Sequence, residues 1–168
     1  MKILILLIVL PQFFLANVPK KDTESICTCL SYDLKEQLEG SELIAHATVL
    51  RIDTVKLVPS YFCIHQGMRE SMYDRGYKIE KIVFKVKSFL KGVVKSDTFS
   101  VLSKNDCNYQ FINKREYIVS AHYGEFCQLE KTSDSIKCNN QTLLCTSDCS
   151  GNTVYYKGAK EVYQNLIK

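Results

Sequence analysis

Two cysteines separated by a single residue, Cys27 and Cys29, constrain this chain more than any other feature. A disulfide between them would have to bend the backbone back over Thr28 at the cost of severe strain. Each cysteine is therefore expected to bond to a different, distant partner. A short segment held at two places would be extended and rigid, and the rest of the chain would be the scaffold that receives both bonds.

The first residues have the pattern of a secretory signal peptide. Residues 1–16 contain one lysine, a nearly continuous apolar run and a small final residue, Ala16, after which we expect cleavage. A retained membrane anchor is the alternative, which the short apolar run and the missing stop-transfer flank disfavour. We therefore expect a secreted, extracellular protein with no membrane association after signal removal. Residues 17–26 are polar and aperiodic, which predicts a flexible arm.

The remaining residues, 27–168, are enough for one domain with its own core. An even number of cysteines behind an export signal indicates a disulfide framework. A zinc site at the last two cysteines has tolerable spacing, but no paired His or Cys motif completes it. The net charge of +4 is mild, and a solvated basic face is its commonest cause. The eight cysteines are Cys27, Cys29, Cys63, Cys107, Cys127, Cys138, Cys145 and Cys149.

The hydrophobic pattern predicts about five strands. Residues 43–52 are apolar on both faces, which is typical of a central strand. Residues 77–90 alternate, with Ile82, Phe84 and Val86 on the core face. Residues 97–102 and 116–123 predict further strands, and 135–138 a weaker one. Residues 53–76 have no clear period and are interpreted as a long connection pinned by Cys63.

Helices are predicted on both sides of these strands. Ser31 and Asp33 can each cap a short helix that Gly40 ends, and Asp33 with Glu36 resembles a capping box. At the other end of the chain, apolar residues recur with helical spacing and predict an amphipathic helix on the core. These helical positions are Ala159, Val162, Tyr163, Leu166 and Ile167. The pattern favours an all-β fold with flanking helices, a small closed barrel without exposed sheet edges.

The order of several motifs resembles the tissue inhibitors of metalloproteinases (TIMPs) and the related netrin-type modules. Cys27-Thr28-Cys29 after a signal peptide is similar to the start of these proteins, and Cys138 falls about where their next framework cysteine would lie. The resemblance covers residues 27 to about 145 and implies a five-stranded OB-type barrel in a single-domain member. The other matching motifs are Ser41-Glu42-Leu43-Ile44 with Ala47, Phe84-Lys85-Val86 before Leu90-Lys91-Gly92, and Cys107 before Tyr117-Ile118-Val119.

The resemblance implies two disulfides, from Cys27 to Cys107 and from Cys29 to Cys138. Each would close a loop of ~80–110 residues, which the chain-entropy model values at roughly 4–5 kcal/mol. The family's third cysteine would lie near Glu39 and is absent here.

Four cysteines remain once the implied disulfides are assigned. Cys63 and Cys127 are additional to the family pattern, and one hypothesis pairs them with each other and Cys145 with Cys149. The sequence leaves the pairing among these four open.

A function for Cys27 also follows from the resemblance. In the inhibitors the mature chain begins at this cysteine, its α-amino nitrogen and carbonyl oxygen bind the protease's catalytic zinc, and the next side chain, here Thr28, enters the specificity pocket. A neutral amine has a lone pair for zinc, whereas a peptide nitrogen has lost it to resonance. Because residues 17–26 would precede Cys27, inhibition by this route requires a second processing event that exposes its amine.

Two functions are therefore open. The first is an inhibitor or modulator of extracellular zinc metalloproteinases through the edge Cys27-Thr28-Cys29. The second is a non-inhibitory netrin-type module that contacts matrix or receptor proteins. In the second case the barrel surface would bind the partner, or a basic face formed by Lys81, Lys85, Lys87 and Lys91. We expect a monomer without cofactor, metal of its own or nucleic-acid partner.

Other chemical signals are weak. His46, His65 and His122 are scattered without metal-ligand spacing, and no nucleophile, phosphate-loop or dinucleotide motif occurs. An enzyme is therefore not expected. Asn140-Gln141-Thr142 is the one acceptor sequence for N-glycosylation, predicted in a loop beside Cys138.

Overall fold

The computed structural model describes residues 33–104, 110–147 and 152–168. This part of the chain is mostly β-sheet with short helices at its ends and in one connection, which confirms the prediction of a mainly β fold with flanking helices. The strands are β1 (Leu43–Val55), β2 (Val58–Pro59), β3 (Ile79–Lys91), β4 (Thr98–Lys104), β5 (Glu116–Lys131), β6 (Ile136–Ser147) and β7 (Thr153–Val154). The helices are α1 (Leu34–Glu39), α2 (Gln66–Asp74) and α3 (Ala159–Leu166), and a 3-10 turn, η1, spans Ser60–Cys63.

Five long strands are paired in a ring. β1 pairs antiparallel with β3 and with β5, β3 pairs antiparallel with β4, and β5 pairs antiparallel with β6. The ring is completed by a parallel pairing between β4 and β6, in which Leu102 is opposite Cys145. The short strands β2 and β7 both pair with β5. The long strands therefore have neighbours on both sides over part of their length, which leaves less unpaired edge.

Strand β1 lies at the centre of this arrangement, as its two apolar faces predicted. One face contributes Ala45, Ala47 and Val49 to the core enclosed by the ring, where Ile82 of β3 also lies. The other face contributes Ile44 to a second cluster outside the ring. Burial on both faces explains why residues 43–49 lack the alternation of a half-exposed strand.

Aromatic rings fill much of the enclosed core. The rings of Phe84 and Phe99 stack with centroids 5.2 Å apart, and Phe111 meets Phe84 edge-on at 5.4 Å. Tyr117 contacts Phe111 at 4.9 Å, and its hydroxyl accepts a hydrogen bond from the Ile112 amide at 3.0 Å. The buried tyrosine therefore has a partner for its polar end, as burial requires.

The terminal helices cover the outer face of β1 and β5. Leu38 of α1 and the α3 residues Ala159 and Tyr163 pack on Ile44 and Ile118. The Asp33 side chain accepts a hydrogen bond from the Lys35 amide at 3.1 Å, and α1 ends at Gly40, as predicted. The predicted helix at residues 159–167 is confirmed as α3, and Ala159 and Tyr163 are buried as expected. The prediction that Val162 faces the core is wrong, because its side chain is 45% exposed.

The structure differs from the predicted pattern after β1 and in β5. The connection of residues 53–76 contains β2, η1 and α2, whereas a long aperiodic segment was expected. All residues of α2 are described and none is buried, so no apolar stripe marked this helix in the sequence. Alternation over residues 116–123 predicts Tyr123 on the same side of the strand as Tyr117 and Val119; these two are buried, but Tyr123 is 56% exposed. The pairing of β5 with β1 ends at Ala121, and the strand continues beyond the helices that cover its first half.

Candidate functional site

The predicted inhibitory edge, Cys27-Thr28-Cys29, lies outside the described residues, as do residues 1–26. Cys107 and Cys149 also lie outside them. The disulfide predicted between Cys27 and Cys107 therefore stays a prediction. The described structure instead locates the other four cysteines, and three of these are brought together.

The cysteine cluster consists of Cys63, Cys127 and Cys138. Their sulfur atoms all lie within 4.8 Å of one another, at the point where η1 meets strands β5 and β6. Cys127 and Cys138 form a disulfide with their α-carbons 5.3 Å apart, and Cys63 is a free thiol. Cys127 is fully buried, Cys63 is 4% exposed and Cys138 is half-buried.

This disulfide corrects two predicted pairings. The resemblance implied a bond from Cys29 to Cys138, and the hypothesis for the additional cysteines paired Cys63 with Cys127, but Cys127 and Cys138 are bonded to each other. The physical reason is the length of the β5–β6 hairpin, where Leu129 is opposite Cys138 and Asn140 opposite Cys127. The predicted strands ended at residues 123 and 138, so their pairing across this hairpin was not visible.

The cluster is also the group of side chains, among the described residues, that could hold a metal ion. Three thiolates at this separation suit a soft cation. In the structure the disulfide occupies two of the three sulfurs, so only Cys63 could supply a thiolate. The arrangement is thus better suited to thiol–disulfide chemistry than to metal binding.

Two physical effects act on the Cys63 thiol. Burial raises its pKa, and the nearby Arg69 guanidinium partly offsets this. Arg69 also donates a hydrogen bond from its Nε to the Cys63 carbonyl at 3.0 Å, which attaches α2 to η1. The apolar wall around the sulfurs is formed by Val58, Phe62, Met72, Tyr77 and Leu129.

Cys145 lies apart from this cluster, on the cross-strand pair it forms with His122. Its Sγ is 3.3 Å from the His122 Nε2. A Cβ added to Gly124 would lie 2.8 Å from the same sulfur, so β5 approaches Cys145 closely at a glycine. Its predicted bond to Cys149 falls partly outside the described residues and stays a prediction.

The histidines occupy separate elements. His46 of β1 is buried, stacks on Tyr155 with ring centroids 3.8 Å apart and lies 2.8 Å from the Glu116 carboxylate. Lys87 also pairs with Glu116, and its hydrogen bond, followed by that of His46, holds the pKa of this carboxyl below its usual range. His65 precedes α2, and His122 lies on β5. His46 thus belongs to a structural network on the outer face of the sheet.

The basic face is divided between different roles. Lys85 is exposed, whereas Lys87 pairs with Glu116. Lys91 donates from its ammonium group to the carbonyls of Leu38 and Glu39, at 3.1 and 2.6 Å, which satisfies the C-terminal end of α1. Lys81 is half-buried at the edge of a cleft. Because two of the four lysines have internal partners, they do not form a uniformly available cationic surface.

That cleft was not predicted from the sequence. It has a volume of about 520 Å³ and is lined by residues of the five long strands and of the segment just after β1. Its floor is apolar and its rim polar, a combination that suits an amphipathic ligand or a partner's side chain. The predicted strand ended at residue 138, whereas β6 continues to Ser147. The apolar residues Leu143 and Leu144 were the sequence signal that the strand continues and that its end lines a cleft. The lining includes Val55, Leu57, Leu102, Leu143, Lys81 and Gln141.

Asn140, the predicted glycosylation site, is exposed on β6 and not in a loop. The Ser60 hydroxyl donates to its side-chain oxygen at 3.3 Å. An exposed strand position remains open to modification, and the prediction of a glycan stays a prediction.

Comparison with known proteins adds no assignment: no family model, curated protein or solved structure matches this chain. The helices of the described residues are all too short or too polar to cross a bilayer.

Proposed function

We propose that this chain is a secreted TIMP/netrin-type module that modulates extracellular zinc metalloproteinases through the edge Cys27-Thr28-Cys29. The observation that carries the proposal is the order of the strand ring, β1-β3-β4-β6-β5 and back to β1. β4 and β5 are consecutive in the chain but not adjacent in this order, so the chain crosses from one to the other. Such a crossing in a ring of five strands supports an OB-type Greek-key barrel, the fold that the resemblance implies.

The proposed chemistry depends on the nitrogen of Cys27. When Cys27 is the first residue, its amine can shed a proton and donate a lone pair to a protease's zinc, whose charge assists the deprotonation. Its carbonyl would be a second ligand, and Thr28 is small enough for a pocket beside the metal. With residues 17–26 still attached, the nitrogen is an amide and the zinc contact is lost.

The direct test compares two forms of the protein that both continue to Lys168. One begins at Asn17 and the other begins at Cys27. Each is titrated against a panel of extracellular zinc metalloproteinases. We expect tight, stoichiometric inhibition by the Cys27 form and at least 100-fold weaker inhibition by the Asn17 form, on the order of the loss of one metal-ligand contact. N-terminal sequencing of the secreted protein then shows which form is natural.

Matched controls separate the zinc contact from general surface binding. Acetylation of the Cys27 amine leaves every side chain in place and removes only the lone pair, so it is expected to abolish inhibition. Thr28→Arg is expected to weaken inhibition by overfilling the pocket while the amine stays free. If the Cys27 form inhibits no protease in the panel, or if acetylation changes nothing, the proposed zinc contact is wrong.

A second function, a non-inhibitory binding module for matrix or receptor proteins, is favoured by the disulfide from Cys127 to Cys138. Because Cys138 is bonded to Cys127, it is not bonded to Cys29, the anchor of the edge that the resemblance implied. The cleft beside Lys81 then offers the surface, because its apolar floor and lysine rim suit an apolar side chain next to an acidic group. Binding of the chain to immobilised matrix proteins, lost in Leu143→Lys and kept in the exposed control Ile64→Lys, would support this function. Equal binding by both variants would contradict it.

A further inference from the structure

The cysteine cluster contains one sulfur more than a disulfide can use. Cys63, Cys127 and Cys138 lie within 4.8 Å of one another, so Cys63 is close to both atoms of the existing bond. Val58 of β2 is opposite Cys127 of β5, which brings η1, and Cys63 with it, against the centre of the cluster. A thiol in such a position is a nucleophile beside its electrophile.

We propose that Cys127 is a shared partner, and that the cluster holds either of two disulfides, Cys127–Cys138 or Cys63–Cys127, which interconvert by thiol–disulfide exchange. The proposal uses only side chains of this chain and is independent of protease inhibition. It makes Cys138 a releasable thiol on the surface of β6.

The exchange step is balanced within the cluster. The Cys63 thiol gives its proton to solvent, and the resulting thiolate attacks the Cys127 sulfur. The bond between Cys63 and Cys127 forms as the bond between Cys127 and Cys138 breaks, and the electron pair of the broken bond leaves on Cys138. The Cys138 thiolate then takes a proton from solvent. One disulfide and one thiol are present before and after, so no oxidant or reductant is needed.

Burial decides which sulfur leaves. Cys127 is fully buried, whereas Cys138 is half-buried on β6, with its Sγ 3.1 Å from the Asn140 side-chain oxygen. A thiolate that reaches water is better solvated than one in an apolar interior and is therefore the better leaving group. Attack at Cys127 with departure of Cys138 is therefore favoured over attack at Cys138 with departure of Cys127. The second route would leave a charged sulfur buried in the apolar cluster.

The two disulfides constrain different parts of the chain. The bond from Cys127 to Cys138 spans 11 residues and joins strands that already pair across a hairpin. A bond from Cys63 to Cys127 would close a loop several times longer, which the chain-entropy model favours. It would also fix η1, and α2 through the Arg69 contact to the Cys63 carbonyl, on β5.

The exchange is expected to be slow, because burial raises the pKa of the Cys63 thiol and keeps little of it ionised. The test therefore follows the full-length protein, purified without reductant, over hours under native conditions with N-ethylmaleimide present. Samples are quenched in acid and their disulfides mapped by mass spectrometry without reduction. We expect label to accumulate on Cys138 together with a peptide pair that links Cys63 to Cys127.

The mapping gives a clear decision. A Cys127–Cys138 peptide pair in the first sample, with a Cys63–Cys127 pair that grows as label accumulates on Cys138, supports the proposal. A Cys63–Cys127 pair that is complete from the first sample, with Cys138 bonded to another cysteine, contradicts it. If Cys127 is found only with Cys138, and Cys63 is found only as a thiol throughout, the two arrangements do not interconvert and the proposal is wrong.

Two matched variants test the geometry separately from the rate. Cys138→Ser removes the leaving group, so Cys63 and Cys127 are expected to be bonded to each other in the purified protein. Cys63→Ser removes the nucleophile, so Cys138 is expected to lose its labelling, at least 10-fold relative to the unmodified chain. Two free thiols in folded Cys138→Ser, or undiminished labelling of Cys138 in Cys63→Ser, would overturn the proposal. If either variant fails to fold, the wild-type mapping alone decides.

Discussion

The strand ring and the connection between β1 and β3 are stabilised in different ways. In the ring, the faces of β1 pack against an enclosed aromatic core and against two helices. In the connection, α2 buries no side chain, and Ile64 beside it is 69% exposed. The connection is attached to β5 by the short strand β2 and by apolar contacts around the cysteine cluster, and the Arg69 hydrogen bond to the Cys63 carbonyl holds α2 to η1.

This difference teaches where stability and chemistry reside. Burial of apolar area contributes most of the folding free energy, so the ring should unfold as one cooperative unit. The connection buries less apolar area, in the small cluster around the cysteines, and contains Cys63, a thiol that lies beside a disulfide. Rearrangement of the cysteine cluster would therefore change the connection and leave the ring intact.

The largest expected effect is that of Phe84→Ala in the enclosed core. Phe84 is fully buried and contacts the rings of Phe99 and Phe111, so truncation leaves a cavity and removes both aromatic contacts. We expect a loss of about 3–5 kcal/mol in the free energy of unfolding. Denaturant unfolding of the oxidised protein measures it. A loss below 1 kcal/mol would mean that the ring is not the stabilising unit.

The next effect is expected from Gly92→Ala, just after β3. Gly92 has a φ of +67°, and an added Cβ would lie 2.2 Å from the Glu42 carbonyl oxygen. Both the left-handed conformation and the contact with a backbone atom oppose a side chain, so we expect destabilisation by about 2–3 kcal/mol. Gly67→Ala in α2 is the matched control, because nothing lies within 4 Å of its added Cβ.

The control should differ in sign as well as size. Gly67→Ala removes freedom from the unfolded chain without a clash and is expected to stabilise by up to about 1 kcal/mol. Thermal unfolding of both variants gives the comparison. Equal effects at the two glycines would contradict the contrast between a tightly packed ring and an open connection.

A smaller, pH-dependent effect is expected from Glu116→Gln. Hydrogen bonds from Lys87 and then His46 hold the pKa of Glu116 below its ordinary value of 4.5. A carboxyl with a lowered pKa in the folded state stabilises the protein above the unfolded pKa, and this contribution is lost as the pH falls through the folded pKa. The side chain is 35% exposed, so the contribution should be below about 1 kcal/mol.

The measurement is the unfolding free energy of wild type and Glu116→Gln between pH 3 and pH 7. The difference in unfolding free energy between wild type and Glu116→Gln should be largest at pH 7 and should disappear as the pH falls below about 4.5. The control is Glu39→Gln, which removes the exposed ion pair between Glu39 and Lys35, whose charged atoms are 3.8 Å apart. It should change the free energy of unfolding by less than about 0.5 kcal/mol. A gap that widens in acid would show that the sign of the Glu116 contribution is wrong.

The smallest effect is expected from Ile64→Ser, at the exposed turn between η1 and α2. Because the side chain is mostly in solvent, its removal should change the unfolding free energy by no more than about 0.5 kcal/mol. Denaturant unfolding of Ile64→Ser and Phe84→Ala under the same conditions compares the connection with the ring. A cost approaching that of Phe84→Ala would mean that the connection contributes as much as the ring.

The candidate site was predictable only in part. The sequence indicated that Cys63 pins the connection, and the structure places Cys63 in the cysteine cluster. Its proximity to Cys138 was not predicted, because the pairing of Cys127 with Cys138 depends on how far β5 and β6 run together. The cleft has the same origin, since its apolar lining comes from segments that are distant in sequence.

By itself the sequence determined the elements with a strong local signal. Alternation in β3, apolar continuity in β1 and helical spacing in residues 159–167 each reflect which faces of one element leave water, and periodicity records this directly. Only the tertiary structure decided the ring order, the exposure of α2 and the choice of disulfide partner. These depend on contacts between segments far apart in the chain, for which the energy of pairing is set by register and burial and leaves no local pattern.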